Sequence, residues 1–301
     1  MIDRISMSAK IGCQDLYKVL YGQLYSMREE GKNILPNGKI CVRHEKYTTR
    51  LDYYPVTYKQ GCKRKIADIT MGSSKLLGQK ERNRYVKLTI YPSKFEQSEF
   101  DHFKWIIDTF FQEFGYSTFY SYGKVNYLEL AYDSQSHINH SFLPYQKYIS
   151  KSEIYTEDDG SCGTGYIGSP ESDHRFRIYD KRKKLIADGL KPFSDVLPHT
   201  RFESVSKKLD LSPCELGKMC NPFPKLKVAD LGKAKALHVD TQWQAFLVTC
   251  QFEGVPRALH MIKEQARRKK YIAALNSVPA SWWKPHAAWK RFPEALIKIA
   301  P

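Results

Sequence analysis

Apolar and polar residues alternate along Tyr85-Val86-Lys87-Leu88-Thr89-Ile90-Tyr91, which predicts a strand with Val86, Leu88 and Ile90 facing a core. Pro92 stops it. The period then changes. Phe100, Phe103, Ile107, Phe110, Phe111 and Phe114 recur at spacings of three and four, which predicts a helix started by Ser98 and ended by Gly115. Further strands are predicted over residues 125–133, 165–168, 175–181 and 200–205. The first 60 residues read as short strands and turns, with Asn37-Gly38 between apolar runs as a hairpin signal. Strands mixed with one long helix predict an α+β fold, a largely antiparallel sheet with packed helices. Asn221-Pro222-Phe223-Pro224-Lys225 interrupts regular structure and suggests a boundary between residues 1–222 and a small basic helical region, 223–301. In that region a helix after Pro256 carries Leu259, Ile262 and Ala266 on one face and ends in Arg267-Arg268-Lys269-Lys270.

Charge adds a partner to this picture. The 301 residues carry 48 Lys/Arg against 32 Asp/Glu, a net charge of +16. Such an excess favours polyanions, nucleic acid first and an anionic membrane surface second. Residues 225–301 hold 14 Lys/Arg against 5 Asp/Glu, more than half of the surplus. The basic run Arg267 to Lys270, in a segment that also bears Trp282, Trp283 and Trp289, reads as a nucleic-acid contact. No apolar run reaches the roughly 20 residues of a membrane span. The seven cysteines are odd in number and form no CxxC pair, which argues against a disulfide framework and a thiolate zinc site. With no leader-like apolar run near Met1, the expected setting is reduced and cytoplasmic. GxxxxGK[ST], HExxH and GxSxG motifs are absent, which argues against an NTPase, a metalloprotease and a hydrolase elbow.

The chemistry-bearing stretch is His174-Arg175-Phe176-Arg177-Ile178-Tyr179-Asp180-Lys181. As a strand it would place Arg175, Arg177, Tyr179 and Lys181 on one face, with Phe176 and Ile178 turned to a core. A phenol among three cations suits a phosphodiester, since Arg grips phosphate with a fork and Lys acts as a point charge. A tyrosine with a reference pKa near 10 needs help to attack phosphorus, and neighbouring cations favour the phenolate. A divalent metal needs hard oxygen ligands. Glu129 and Asp133 share a strand face with Tyr127, and Glu203 lies between apolar neighbours on the 200–205 strand; salt bridging to Arg201 or Arg177 is the plainer alternative. His137, His140 and His199 are weaker candidates.

These residues resemble the rolling-circle replication initiators, the trans-acting plasmid type and the related initiation factors of filamentous phages. The similarity rests on Gly165-Tyr166-Ile167-Gly168-Ser169, Arg175 to Lys181, Thr200-Arg201-Phe202-Glu203, Tyr127 to Asp133, Lys87 to Phe95 and the Met1-Ile2-Asp3 opening. It implies that Tyr179 is a nicking nucleophile flanked by Arg177 and Lys181, with Tyr166 in reserve. It also implies that Glu129, Asp133 and Glu203 hold Mg²⁺ or Mn²⁺, and that Arg175 and Arg201 contact DNA. The chain departs from the pattern at Glu129 (usually Asp), at Tyr127 (usually Arg) and at Lys184 (often Glu). The implied function is to bind an origin as duplex and single strand, nick one strand into a 5′-phosphotyrosine and a free 3′-OH, and later rejoin it. Host helicase and polymerase would be partners, a homodimer is compatible, and no membrane is involved. A non-catalytic DNA-binding or RNA-binding regulator is the alternative.

Overall fold

The computed structural model describes residues 1–34, 39–44, 48–54, 65–72, 84–137, 141–147, 149, 151–156, 162–189 and 197–301. The Asn37-Gly38 turn, the loop bearing Asp158-Asp159-Gly160, and Ile138-Asn139-His140 lie outside the described residues. The architecture is α+β with a largely antiparallel sheet. Two compact units interleave along the chain, residues 1–129, 206–219 and 292–301 forming the first and 130–205 and 220–291 the second. The sequence had suggested one cut near residue 222.

The first unit contains β1 (Ile2–Lys10), α1 (Gln14–Ile34), β2 (Lys39–His44), β3 (Thr48–Tyr54), β4 (Ala67–Gly72), β5 (Tyr85–Ile90), α2 (Gln97–Phe111), α3 (Tyr116–Tyr122) and the first half of β6 (Lys124–Ser134). Its strands run in the order β2-β3-β4-β5-β1-β6. Val86, Leu88 and Ile90 are fully buried, as the alternation predicts. The facing strand β1 is buried on both sides at Ile5, Ser6 and Met7, so its one polar residue there must find a partner. Register sets Ser6 opposite Thr89, and their hydroxyls meet at 3.0 Å.

Helix α1 occupies a stretch that reads in sequence as strands and turns. Tyr17, Leu20, Tyr21 and Leu24 recur at three and four and are all buried. Each such side chain contributes about 1.5–3 kcal/mol by leaving water. The predicted phenylalanine helix is present but shorter. Glu96 caps α2 through a reciprocal capping box with Glu99, two residues ahead of the predicted role of Ser98. After Phe111 the backbone tightens, Gln112 takes a positive φ of 46°, and α3 begins beyond Gly115. The terminal helix α10 (Phe292–Lys298) belongs here too: Lys298 Nζ donates to the carbonyls of Pro92 and Phe95 at 2.7 and 2.9 Å.

The second unit holds the rest of β6, then β7 (Phe142–Gln146), β8 (Ser152–Thr156), β9 (Cys162–Ile167), β10 (His174–Asp180), α4 (Lys181–Ala187) and most of β11 (Thr200–Lys207). Its strand order is β6-β11-β10-β9-β8, and β7 pairs separately with β12 (Leu226–Asp230). Then follow α5 (Leu231–Lys235), α6 (Trp243–Glu253), α7 (Val255–Met261), α8 (Gln265–Ser277) and α9 (Pro285–Trp289). Trp243, Phe246, Leu247, Tyr271 and Leu275 form one core of this helical part. Trp282 and Trp283 pack against Phe202 at 5.7 and 5.0 Å, inside a second aromatic cluster with Phe142 and Tyr132. Half-buried, they pack into this aromatic cluster, where the sequence reading had set them beside a nucleic-acid surface. Among the described residues no helix is long and apolar enough to cross a membrane. Cys13, Cys214, Cys220 and Cys250 are free thiols.

Candidate functional site

The site on the second unit starts from two adjacent antiparallel strands. Register sets Arg177 opposite Tyr166 and Tyr179 opposite Thr164, so these four residues share one face of β10 and β9. Phe176 and Ile178 take the other face and are buried, which anchors the strand. The turn between the strands needs Gly168: its φ is +103°, and an added Cβ would sit 3.1 Å from Arg175 Cβ. The arginine row is therefore seated against a residue with no side chain.

Beside β10, β11 brings in Glu203, which is 0% exposed. Tyr179 is 5% exposed, and its hydroxyl donates to Glu203 Oε1 at 2.8 Å. Arg177 donates from Nε and pairs through Nη2 with the other oxygen, Oε2. One buried carboxylate thus holds the phenol and the guanidinium together. Arg177 also lies 5.4 Å from the centre of the Tyr179 ring, and Lys184 Nζ lies 5.1 Å from it. Above them opens a cavity of about 390 Å³ lined by Thr164, Tyr166, Arg177, Tyr179, Lys183 and Lys184.

The electrostatics run opposite to the sequence expectation. Burial, then the Glu203 carboxylate, raise the Tyr179 pKa far above the usual tyrosine value, while Arg201 and Arg177 pull it down by less. The resting phenol is neutral, and its proton points at Glu203. Proximity of cations was legible in the motif. The depth of the ring and the carboxylate on the next strand were not.

Lys181 is displaced from its expected place. Asp180 caps α4 by accepting from the Lys183 backbone, so the strand ends at Asp180 and Lys181 opens the helix. Its charge acts on Asp133, and Lys184 takes the position over the phenol. Asp133, expected as a metal ligand, is gripped by a fork from Arg201, Nε to Oδ1 at 2.7 Å and Nη2 to Oδ2 at 2.8 Å. His199 Nε2 lies 3.4 Å from the same carboxylate. Burial works to raise the Asp133 pKa, and Arg201 together with His199 and Lys181 outweighs it, leaving the group below the ordinary carboxylate value. The plainer salt-bridge reading describes this residue.

Two acidic side chains of the first unit come together. Asp3 on β1 and Glu129 on β6 bring carboxylate oxygens within 4.8 Å of each other. Glu129 is buried and accepts from the Tyr127 hydroxyl at 3.1 Å, and Asp3 accepts from Ser93 at 2.5 Å. Paired carboxylates in a strand interior are hard oxygen donors of the kind a divalent cation takes. Asp3 was missed in the sequence. Its signal was the one that marked Glu129, an acid between the apolar positions Ile2 and Ile5 of a strand.

The basic run of the helical part is largely tied down. The predicted helix after Pro256 stops at Met261, and Arg267 to Lys270 lie near the start of α8. Arg267 pairs with Glu264 at 3.3 Å, Arg268 donates to the Ile262 carbonyl at 2.5 Å, and Lys270 donates to the Val239 carbonyl at 2.6 Å. Lys269 is exposed. Arg175 stands with its guanidinium 5.0 Å from the Tyr166 ring centre.

No protein-family model matches the chain, and no curated protein matches it. Among solved structures, the chain is similar to the rolling circle replication initiator protein from Geobacillus stearothermophilus, at 11% identity over 84% of this chain and 97% of that one, with a TM-score of 0.40. A weaker overlap is with the di-domain ARO/CYC StfQ of the steffimycin biosynthetic pathway, at 6% identity over 91% of this chain and 97% of that one, with a TM-score of 0.16.

Proposed function

We propose that this chain initiates rolling-circle DNA replication by nicking one strand through Tyr179. What supports the reading is one arrangement: a phenol hydrogen-bonded to a buried carboxylate, beside cations, at the floor of an open cavity. In the proposed step the Tyr179 oxygen bonds to phosphorus and the P–O3′ bond breaks. The phenol proton passes to Glu203 Oε1, and the departing O3′ takes a proton from solvent. The products are a 5′-phosphotyrosine and a free 3′-OH. Rejoining reverses both bond changes and needs no ATP, since the phosphodiester energy is retained.

Arg177 holds Glu203 in place and, with Lys184, offers positive charge to the phosphate in the cavity. Asp3 and Glu129 fit a divalent cation, Mg²⁺ or Mn²⁺. Such a cation supplies the kind of positive charge that polarises a phosphate in phosphoryl transfer. The net charge of +16 suits duplex and single-stranded origin DNA, with host helicase and polymerase taking over the free 3′ end.

The experiment is incubation of the protein with end-labelled origin single strand and Mn²⁺. Wild-type protein forms a covalent adduct and Tyr179→Phe forms none; an adduct of equal yield from Tyr179→Phe removes the residue from the role. A second reading, a DNA-binding or RNA-binding regulator without chemistry, is favoured by the depth of Tyr179, which is 5% exposed. Supercoiled plasmid left intact with every divalent metal supports that reading.

A further inference from the structure

The face that carries Tyr179 continues outward over β9 and β8, the latter at the end of the strand order. Register sets Tyr155 on β8 opposite Thr164, and Thr164 opposite Tyr179, in one lateral row. The next row is Glu153, Tyr166 and Arg177. Cross-strand partners and residues two apart share a face, so the rows lie side by side. Tyr155 is 57% exposed on an edge strand, an unusual place for a large ring. It meets Tyr166 edge to face, with ring centres 5.9 Å apart and planes at 86°. Arg175 covers part of Tyr166 from the other side.

The charges on this face are graded. Three cations, Arg177, Lys183 and Lys184, line the cavity against one acid, Asp180, whereas the outer rim bears Glu153, whose carboxylate accepts from the Tyr155 hydroxyl at 3.2 Å. A nucleic-acid backbone is drawn to the first group and repelled by Glu153. A base, which has a π-face and no charge, is what the rim can receive. Two strand spacings separate β8 from β10, about 10 Å, within reach of the nucleotides adjoining a phosphate held at Tyr179.

We propose that Tyr155, backed by Tyr166, stacks the nucleobase adjoining the scissile phosphate of single-stranded DNA. The proposal rests on the nicking site described above and gives Tyr166 a place in binding rather than in reserve as a nucleophile. A duplex cannot use the platform, because its bases are already stacked.

The test is equilibrium binding of a fluorescent single-stranded deoxyoligonucleotide, the matching duplex and the matching RNA strand, without divalent metal. Tyr155→Ala should weaken single-strand binding roughly tenfold, a typical loss for one stacked base, and leave duplex binding unchanged. Tyr155→Phe should bind like wild type, because the ring is kept. Equal losses on single strand and duplex, no loss in Tyr155→Ala, or RNA bound more tightly than DNA would each overturn the proposal. Adduct formation by wild-type protein is scored separately, so failure of nicking and failure of the platform are read apart.

Discussion

Glu203 joins two side chains at once, so replacing it by Gln should register in stability and in chemistry by amounts the geometry sets. The amide keeps the shape and can still accept from the Tyr179 hydroxyl. It then turns an NH₂ toward Arg177, donor against donor, and removes the charge that balances the guanidinium. Breaking a fully buried pair costs roughly 3–5 kcal/mol, and an exposed one about 1 kcal/mol or less. Glu203 is 0% and Arg177 25% exposed, so the guanidinium keeps part of its hydration and the cost falls between, at about 2–3 kcal/mol. For a domain of this size that lowers Tm by about 5–10 °C, measurable by calorimetry. The Tyr179 pKa should fall toward the ordinary value while burial keeps it above. Loss of the proton acceptor should slow adduct formation by about 10²–10⁴-fold, measured on single-stranded substrate below the melting transition. A Glu203→Gln protein that melts with wild type and forms adduct at the wild-type rate refutes both the stabilising pair and the proton transfer.

Asp133→Asn should cost about 0.5–1 kcal/mol, since the side chain is 41% exposed and water screens its pairing with Arg201. The Asp133 pKa is depressed on folding, so its contribution is present above the unfolded value of 3.8 and lost as pH falls through the folded one. Thermal melts of Asp133→Asn and wild type should thus converge as pH falls from about 4 through the folded Asp133 value, and a gap that stays constant over that descent contradicts the pairing. His174 sits 3.0 Å from Ser204, and burial lowers its pKa from 6.5 to about 4. The folded state then holds fewer protons than the unfolded between those values, so Tm should decline as pH drops from 6.5 to about 4. His174→Gln should flatten that slope, and an unchanged slope assigns the dependence to other groups.

The elements that were legible are those whose burial follows a simple period. β5 alternates cleanly, and β10 shows the same alternation up to the residue where Asp180 begins a cap. α1 was hidden because half of its described buried positions, Tyr17 and Tyr21, are tyrosines, which serve strands and helix faces equally well. The tryptophans of the last quarter were read with the charges around them, yet Trp282 and Trp283 fill space over Phe202, a residue far away in sequence. Tyr179, Arg177 and Glu203 were legible as separate residues. The hydrogen bond that neutralises the phenol depends on which strand lies beside β10, and no spacing within a motif carries that. Asp133 and Glu129 looked equivalent four residues apart on one strand, and what separates them is the fork of Arg201 on Asp133 and the burial of Glu129 beside Asp3.

The central claim is a bond between the Tyr179 oxygen and DNA, and the direct measurement is mass spectrometry of the protein after reaction with an origin single strand and Mn²⁺, followed by nuclease and protease digestion. The account predicts a nucleotide mass on the peptide containing Tyr179, absent in Tyr179→Phe. A nucleotide on a peptide bearing Tyr166 or any other tyrosine, with Tyr179 unmodified, would contradict it.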